Sequence, residues 1–189
     1  MKKLLEKKSL LIFGAILLVY GILFTLLKTG VIGAYYEGII LLTFINIILA
    51  VSLNLIVGFT GQLCLGHAGF MAIGAYISAI ISTKANLPFF LAIIVGAIVS
   101  AFFAALIGFP TLRLTGDYFA ITTLAFCEII RVIIMNIDYV GGARGFTGIP
   151  TKTTISISFW VMILSVVIIY NIIHSSQGRA MLAVRENEI

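Results

Sequence analysis

The sequence predicts an all-α membrane protein, a polytopic transmembrane helical bundle with about six spans. Of its 189 residues, 61% are hydrophobic and only 10% are charged, and the mean hydropathy is +1.21. A soluble domain carries about 25% charged residues. The long apolar runs approach the ~20 residues that a helix needs to cross a bilayer, and they lack the alternation that is typical of transmembrane β-strands.

The spans can be drawn directly on these apolar runs, as one transmembrane domain over residues 1–189. The first run is longer than the roughly 7–15-residue core of a signal peptide, and no clear cleavage site follows it, so we interpret it as a retained span. A broken or re-entrant segment is expected to precede the third span. The predicted spans are residues 9–27, 39–57, 67–83, 88–109, 119–135 and 155–173.

The placement of lysine and arginine favours a cytoplasmic N-terminus, because cytoplasmic loops are enriched in these residues. About six crossings then put both termini of this chain in the cytoplasm. The basic residues on that side outnumber those on the other. Predicted inside are Lys2, Lys3, Lys7, Lys8, Arg113, Arg179 and Arg185, and predicted outside are Lys28, Lys84, Arg144 and Lys152.

Residues 54–74, NLIVGFTGQLCLGHAGFMAIG, interrupt the apolar pattern with glycines and polar side chains. Irregular backbone at membrane depth must be enclosed by protein or line a wet cavity, and transporters use interrupted helices to present backbone groups to a substrate. Alternatively, the glycines only let helices pack closely. Both readings stay open. The candidate translocation-path residues are Asn54, Gly58, Gly61, Gln62, Gly66, His67 and Gly69.

Glu128 and Arg131 lie three residues apart in the fifth predicted span and therefore on one helix face. Charges within a bilayer are costly, so we expect an intramembrane ion pair turned into the bundle. Such a pair is either a functional site or a device that fixes the register of the helix; we favour the second, because a self-satisfied pair leaves little charge for a ligand.

Several function classes find no support in the sequence. The basic residues do not cluster with aromatic ones as on a nucleic-acid surface. Cys64 and Cys127 have no metal-ligand spacing around them, and His67 has no partner for a catalytic triad. The phosphate-loop pattern G-x-x-x-x-G-K-[ST] does not occur in the chain. We therefore predict a non-enzyme that binds neither metal nor cofactor, with any ATP bound on another chain.

Four stretches in a fixed order resemble the permease family of ABC importers for branched-chain amino acids, and its LivM-type subunit more closely than its LivH-type subunit. They are NLIVGFTGQLCLGHAGFMAIGAY at 54–76, TLRLTGDYFAITTLAFCEIIRVIIMN at 111–136, GGARGFTGIP at 141–150 and GRAMLAVRENE at 178–188. The resemblance covers most of the chain beyond the first predicted span.

The resemblance implies a membrane permease subunit that forms the translocation path with a second, LivH-type permease. Family members work with two cytoplasmic ATPases and an extracytoplasmic binding protein in the prokaryotic plasma membrane. Residues 141–148 would face the binding protein, and residues 174–189 would form a cytoplasmic ATPase-docking segment. The docking candidates are Gly178, Arg179, Ala183, Arg185 and Glu186.

Family permeases continue beyond this segment with further spans. The resemblance therefore implies that the sequence is the N-terminal part of a longer pattern, either a fragment or a truncated gene product. Other functions remain open at this point: an importer of urea or amides, a carrier or channel that works without ATP, and an intramembrane enzyme that uses His67.

Overall fold

The computed structural model describes residues 2–30, 33–85, 87–114 and 116–186, with side chains described between residues 14 and 185. In these ranges the ordered backbone is helical and contains no strand. The α-helices are α1 (Lys2–Lys28), α2 (Ala34–Asn54), α3 (His67–Lys84), α4 (Phe89–Thr111), α5 (Asp117–Asn136), α6 (Ile155–Ile173) and α7 (Ser176–Glu186). Short turns of 3₁₀-helix lie at Asp138–Val140 and Gly142–Arg144.

The all-α polytopic membrane class is confirmed. Within the described ranges, four helices are long and apolar enough to cross a membrane: Ala34–Thr60, Phe89–Thr111, Asp117–Asn136 and Ile155–Ile173. The described apolar part of α1, Gly14–Lys28, is shorter, and α3 has 18 residues but is not in that set. The number of crossings therefore stays a prediction.

The chain divides into two compact units. Unit 1 comprises residues 1–48 and 153–168, and unit 2 comprises residues 49–152 and 169–189. In unit 1, Phe44, Phe159 and their neighbours form an aromatic and aliphatic core. The ring of Tyr20 stands 5.3 Å from that of Phe159, and its hydroxyl donates to Ser156 Oγ at 3.1 Å. Large side chains that interlock in this way bury much apolar area.

Unit 2 is held together by small residues. α4 runs antiparallel to α3, and the two helices are in tight contact at Gly96. A Cβ on Gly96 would stand 2.6 Å from the carbonyl oxygen of Gly74, a distance that real side chains do not reach. One turn further along α4, Ser100 Oγ donates to the carbonyl of Phe70 at 2.7 Å. Close approach and a hydroxyl donor are the usual means by which membrane helices associate.

α5 runs parallel to α3, so the two helices end on the same side of unit 2. There, Lys84 Nζ donates to the carbonyl of Tyr139 at 3.2 Å and lies over its ring. The opposite end of unit 2 holds the start of α3, the segment before it and α7. The glycine-rich loop after α5 and the docking candidate α7 therefore lie at opposite ends of this unit.

Candidate functional site

The predicted interruption lies between α2 and α3. α2 passes at Asn54 into a π-helical turn, Leu55–Thr60, and the backbone then leaves the helix at Gly61 with φ +76°. Residues 61–66 are non-helical, and α3 begins at His67. α2 and the π-turn together have 27 residues, roughly 40 Å of helix, which exceeds the ~30 Å hydrocarbon core. The irregular backbone thus follows a stretch of helix that is long enough to cross the bilayer.

A hydrogen bond between Ser52 and His67 closes the interruption. Ser52 Oγ and His67 Nε2 are 2.9 Å apart, and the same hydroxyl donates to the carbonyl of Leu49 at 2.9 Å. The Ser52 hydroxyl accepts a hydrogen bond when Nε2 carries a proton and donates one when it does not, so either tautomer of His67 forms this contact. His67 therefore ties the last turn of α2 to the first turn of α3, and both side chains are half-buried.

The non-helical segment also rests on α5. The backbone N–H of Leu65 donates to Thr123 Oγ1 at 3.1 Å, and Thr123 is buried. A Cβ on Gly66 would stand 2.6 Å from the carbonyl oxygen of Thr123, and one on Gly69 would stand 3.1 Å from the Cα of Cys127. These two glycines allow α5 to approach the start of α3 closely, which is the packing role of membrane glycines.

The earlier candidates lie at the π-turn. Asn54 folds its carboxamide over Gly58, so that a Cβ at Gly58 would collide with Asn54 Oδ1. Asn54 and Gly61 are exposed, and Gln62 and Gly58 are half-buried. The buried side of the segment carries Cys64, which is 7% exposed. Exposed backbone and amide groups at this end of unit 2 are the ones that could meet a polar solute.

α7 packs directly on the π-turn. Arg185 Nη1 donates to the carbonyl of Gly58 at 3.0 Å, across 127 residues of chain. Its side chain also passes close to Gly61, where a Cβ would stand 2.8 Å from Arg185 Cγ. The candidate path residues and the candidate docking residues are therefore in contact, although they are far apart in the sequence.

The other docking candidates are spread over α7. Gly178 is buried because the carbonyl of Ile173 occupies the place of a Cβ. Arg179 and Ala183 are exposed, while Glu186 ends the helix and its side chain lies outside the described part of the chain. Arg179 and Arg185 are six residues apart and so point to different faces of α7.

The ion pair on α5 has the expected spacing but an open environment. Arg131 Nη1 donates to Glu128 Oε2 at 3.2 Å, and the two side chains are 66% and 54% exposed respectively. In this chain by itself the pair faces outward and is not enclosed by unit 2. A charged pair that faced hydrocarbon would be costly, so we expect this face of α5 to contact protein or water.

The glycine-rich loop at the far end of unit 2 forms two consecutive 3₁₀ turns. Gly141 has φ +87°, and a Cβ there would collide with the carbonyl of Gly145, so the turn requires glycine. The loop continues over an open apolar cavity of about 230 Å³. The cavity is lined by Ala75, Tyr76, Ala79, Phe146 and Ile149.

Sequence reasoning missed the partners of the interruption. From the sequence alone, Thr123 was an ordinary residue of an apolar span, and Arg185 was expected to contact another chain in the cytoplasm. A weak signal existed for Ser52, since hydroxyls in apolar helices often bond to a neighbouring helix. Which group each of them would meet depends on tertiary contacts across 15 to 127 residues of chain.

Comparison with known proteins places the chain. Residues 35–189 match the family described as "Branched-chain amino acid transport system / permease component". Two curated relatives carry the name "High-affinity branched-chain amino acid transport system permease protein LivM": the protein of Salmonella typhimurium is 42% identical and that of Escherichia coli K12 is 40% identical, each over 91 residues. That stretch covers 48% of this chain but only 21% of each relative. No solved structure matches.

Proposed function

Because this chain belongs to the branched-chain amino acid transport permease family, we propose that it is the membrane-spanning subunit of an ATP-driven importer of branched-chain amino acids. The curated similarity extends over about a fifth of the relatives' length, so activity, substrate and partners are parts of this proposal. The chain itself is a multi-pass membrane permease component in a prokaryotic membrane.

One observation carries the mechanistic part of the proposal: the docking candidate α7 packs on the interrupted segment of the candidate path. A permease that is driven by a separate ATPase needs a surface that the ATPase can move and a solute path that responds. α7 presents Arg179 and Ala183 on its exposed side and contacts Gly58 on its other side. Movement of one helix would therefore act on both.

We propose a direction of transport from the two ends of unit 2. α7 would lie on the cytoplasmic side, where the positive-inside bias also places its arginines. The loop at 141–148 would then face outward and receive solute from a binding protein. In this orientation the ATPases close on ATP, α7 is displaced, and the path changes from outward to inward access. No covalent chemistry occurs on the permease.

A second permease, of the LivH type, would complete the path. The exposed face of α5 with Glu128 and Arg131 supports this part of the proposal, because a charged pair in a span is stable only when protein or water covers it. We therefore place the subunit contact on the Glu128–Arg131 face of α5.

The experiment is uptake of radiolabelled leucine by cells of the native host, with the gene intact, deleted and restored. We expect deletion to abolish high-affinity uptake and restoration to return it. Uptake should stop when cellular ATP is depleted by arsenate and should survive a protonophore while ATP is maintained. Unlabelled isoleucine and valine should compete, whereas urea and short amides should not.

The opposite pattern would refute the proposal. Uptake that continues without ATP but collapses with the membrane potential would identify a carrier, with Glu128 and Arg131 as its charged groups. If urea alone competed, the chain would still be a permease, but its substrate would be urea and not a branched-chain amino acid. Matching deletion strains that lack a candidate ATPase gene would tell whether energy enters through a separate chain.

A further inference from the structure

The side chain of Arg185 caps a helix other than its own. The last carbonyls of a helix have no partner within it, and the π-turn ends at Thr60. Arg185 Nη1 supplies a donor to one of these carbonyls, that of Gly58, at 3.0 Å. A cation at this position also complements the negative end of the helix dipole. A side chain of α7 thus caps the C-terminal end of α2 and its π-turn.

The position that Arg185 occupies requires a glycine at residue 61. Its φ of +76° is a left-handed conformation that L side chains rarely adopt. A Cβ there would also stand 2.8 Å from Arg185 Cγ. Glycine at position 61 therefore both turns the chain out of the π-turn and leaves room for the arginine stem that crosses it.

The opposite end of α7 is fixed on α6. Ser175 Oγ donates to the carbonyl of Ile172 at 2.6 Å and accepts the backbone N–H of Gly178 at 3.4 Å. A Cβ at Gly178 would collide with the carbonyl of Ile173. α7 therefore contacts the end of α6 at its start and the π-turn near its end.

The interruption has two further tethers, from His67 to Ser52 and from Leu65 to Thr123, and both lead to transmembrane helices. The bond from Gly58 is the tether that leads to α7. A displacement of α7 would act through this bond on the π-turn, which leads directly into the non-helical residues 61–66.

We propose that Arg185 is a positioning residue that couples α7 to the interruption, so that movement of α7 opens or closes residues 61–66. This inference rests on the proposed function for the origin of the movement, but the link itself belongs to this chain. It also reassigns Arg185: its guanidinium holds the permease backbone, and the surface offered to an ATPase is the Arg179 face of α7.

Cys64 provides a native reporter, because it is buried within the interruption. In a Cys127→Ala background, its labelling rate with a maleimide measures how often residues 61–66 open. Arg185→Met keeps the aliphatic stem and removes the donor and the charge. Arg179→Met removes the same charge from the exposed face of α7 and is the matched control. Arg185→Lys keeps a charged donor.

We expect Arg185→Met to raise the Cys64 labelling rate about fivefold or more, since a hydrogen bond to a charged donor is lost. Arg179→Met should leave the rate unchanged, and Arg185→Lys should restore part of the protection. An Arg185→Met rate equal to that of the parent would overturn the inference, whether or not an ATPase is found.

A second readout separates the link from the proposed function. In purified complex, trapping with ATP and vanadate should change Cys64 labelling in the parent. Arg185→Met should still co-purify the ATPase and lose the response. If Arg185→Met instead loses the ATPase, Arg185 is a docking contact and the inference is wrong. If the parent brings down no ATPase, the proposed function fails, and the basal labelling rates alone decide on the link.

Discussion

Both halves of residues 54–74 contain glycines, but the glycines of the two halves have different neighbours. Gly66, Gly69 and Gly74 face the backbones of α5 or α4, where a Cβ would meet carbonyl or Cα atoms. Gly58 and Gly61 face side chains, those of Asn54 and Arg185. The first group allows helices to approach, and the second gives the backbone an irregular path that side chains cap. One glycine-rich motif thus contains both a packing surface and a candidate moving part.

The difference predicts which substitutions destabilise the fold and which alter the interruption. A neighbour that is backbone cannot move without shifting a helix, whereas the end of a side chain can rotate away. Substitutions in the packing half should lower thermal stability. Substitutions of Gly58 or Gly61, whose neighbours are side chains, should mainly change the exposure of Cys64.

The largest effect is expected for Gly96→Leu. A side chain here would force α3 and α4 apart, at a cost of about 3 kcal/mol for overpacking. The melting temperature in detergent should fall by roughly 6–12 °C, at about 2–4 °C per kcal/mol for a chain of this size. Gly108→Leu is the control, because a Cβ at Gly108 meets nothing within 4 Å. Equal losses in both variants would contradict the close packing of α3 and α4.

Gly61→Ala should have the next largest effect. We expect it to lower the free energy of unfolding by about 2 kcal/mol, because a residue with a Cβ is strained in the left-handed conformation. Gly148→Ala serves as its matched control, since Gly148 has φ +80° and open space around it. Both should lose similar stability, but Gly61→Ala alone should increase Cys64 labelling, because the new methyl group displaces Arg185. If labelling increases equally in Gly148→Ala, the contact between Gly61 and Arg185 has no effect on the interruption.

Ser52→Ala and His67→Ala test the closure of the interruption. We expect each to cost about 1 kcal/mol, the usual net value of a hydrogen bond. The double variant should cost less than the sum of the two, because both single changes remove the same bond. Additive losses in this cycle, measured by thermal unfolding, would mean that the two side chains do not interact.

The smallest effect is expected for Ser100→Ala, which removes the bond to the carbonyl of Phe70. Bonds between membrane helices average about 0.6 kcal/mol. Ser165→Ala is the control, since Ser165 Oγ donates within its own helix to Val161. A loss no larger than that of the control would show that the bond from Ser100 adds nothing to the association of α3 and α4.

Much of the fold could be predicted from hydropathy. The sixth span, 155–173, has the bounds of α6, and the predicted start of the third span at His67 is the start of α3. Other helices extend past their predicted ends, as α1 and α5 do, because polar residues continue a helix beyond the apolar core. Hydropathy detects the part in contact with lipid and not the helical caps.

The candidate site could be predicted only in part. The interruption at 61–66 follows from glycines and polar residues in an apolar region, and the spacing of Glu128 and Arg131 gave their pairing. The direction that this pair faces, and the contact between Arg185 and Gly58, depend on how helices pack. A single sequence carries little information on such pairings.

The most direct test of the central claim is affinity purification of the tagged protein from its native host in mild detergent, with intact-mass analysis. We expect the intact protein to bring down a second permease and an ATPase. A variant that lacks residues 176–186 should keep the permease and lose the ATPase. An ATPase that stays bound without α7, or an intact protein that brings down no ATPase, would contradict the role of α7 as the link between ATP hydrolysis and the transport path.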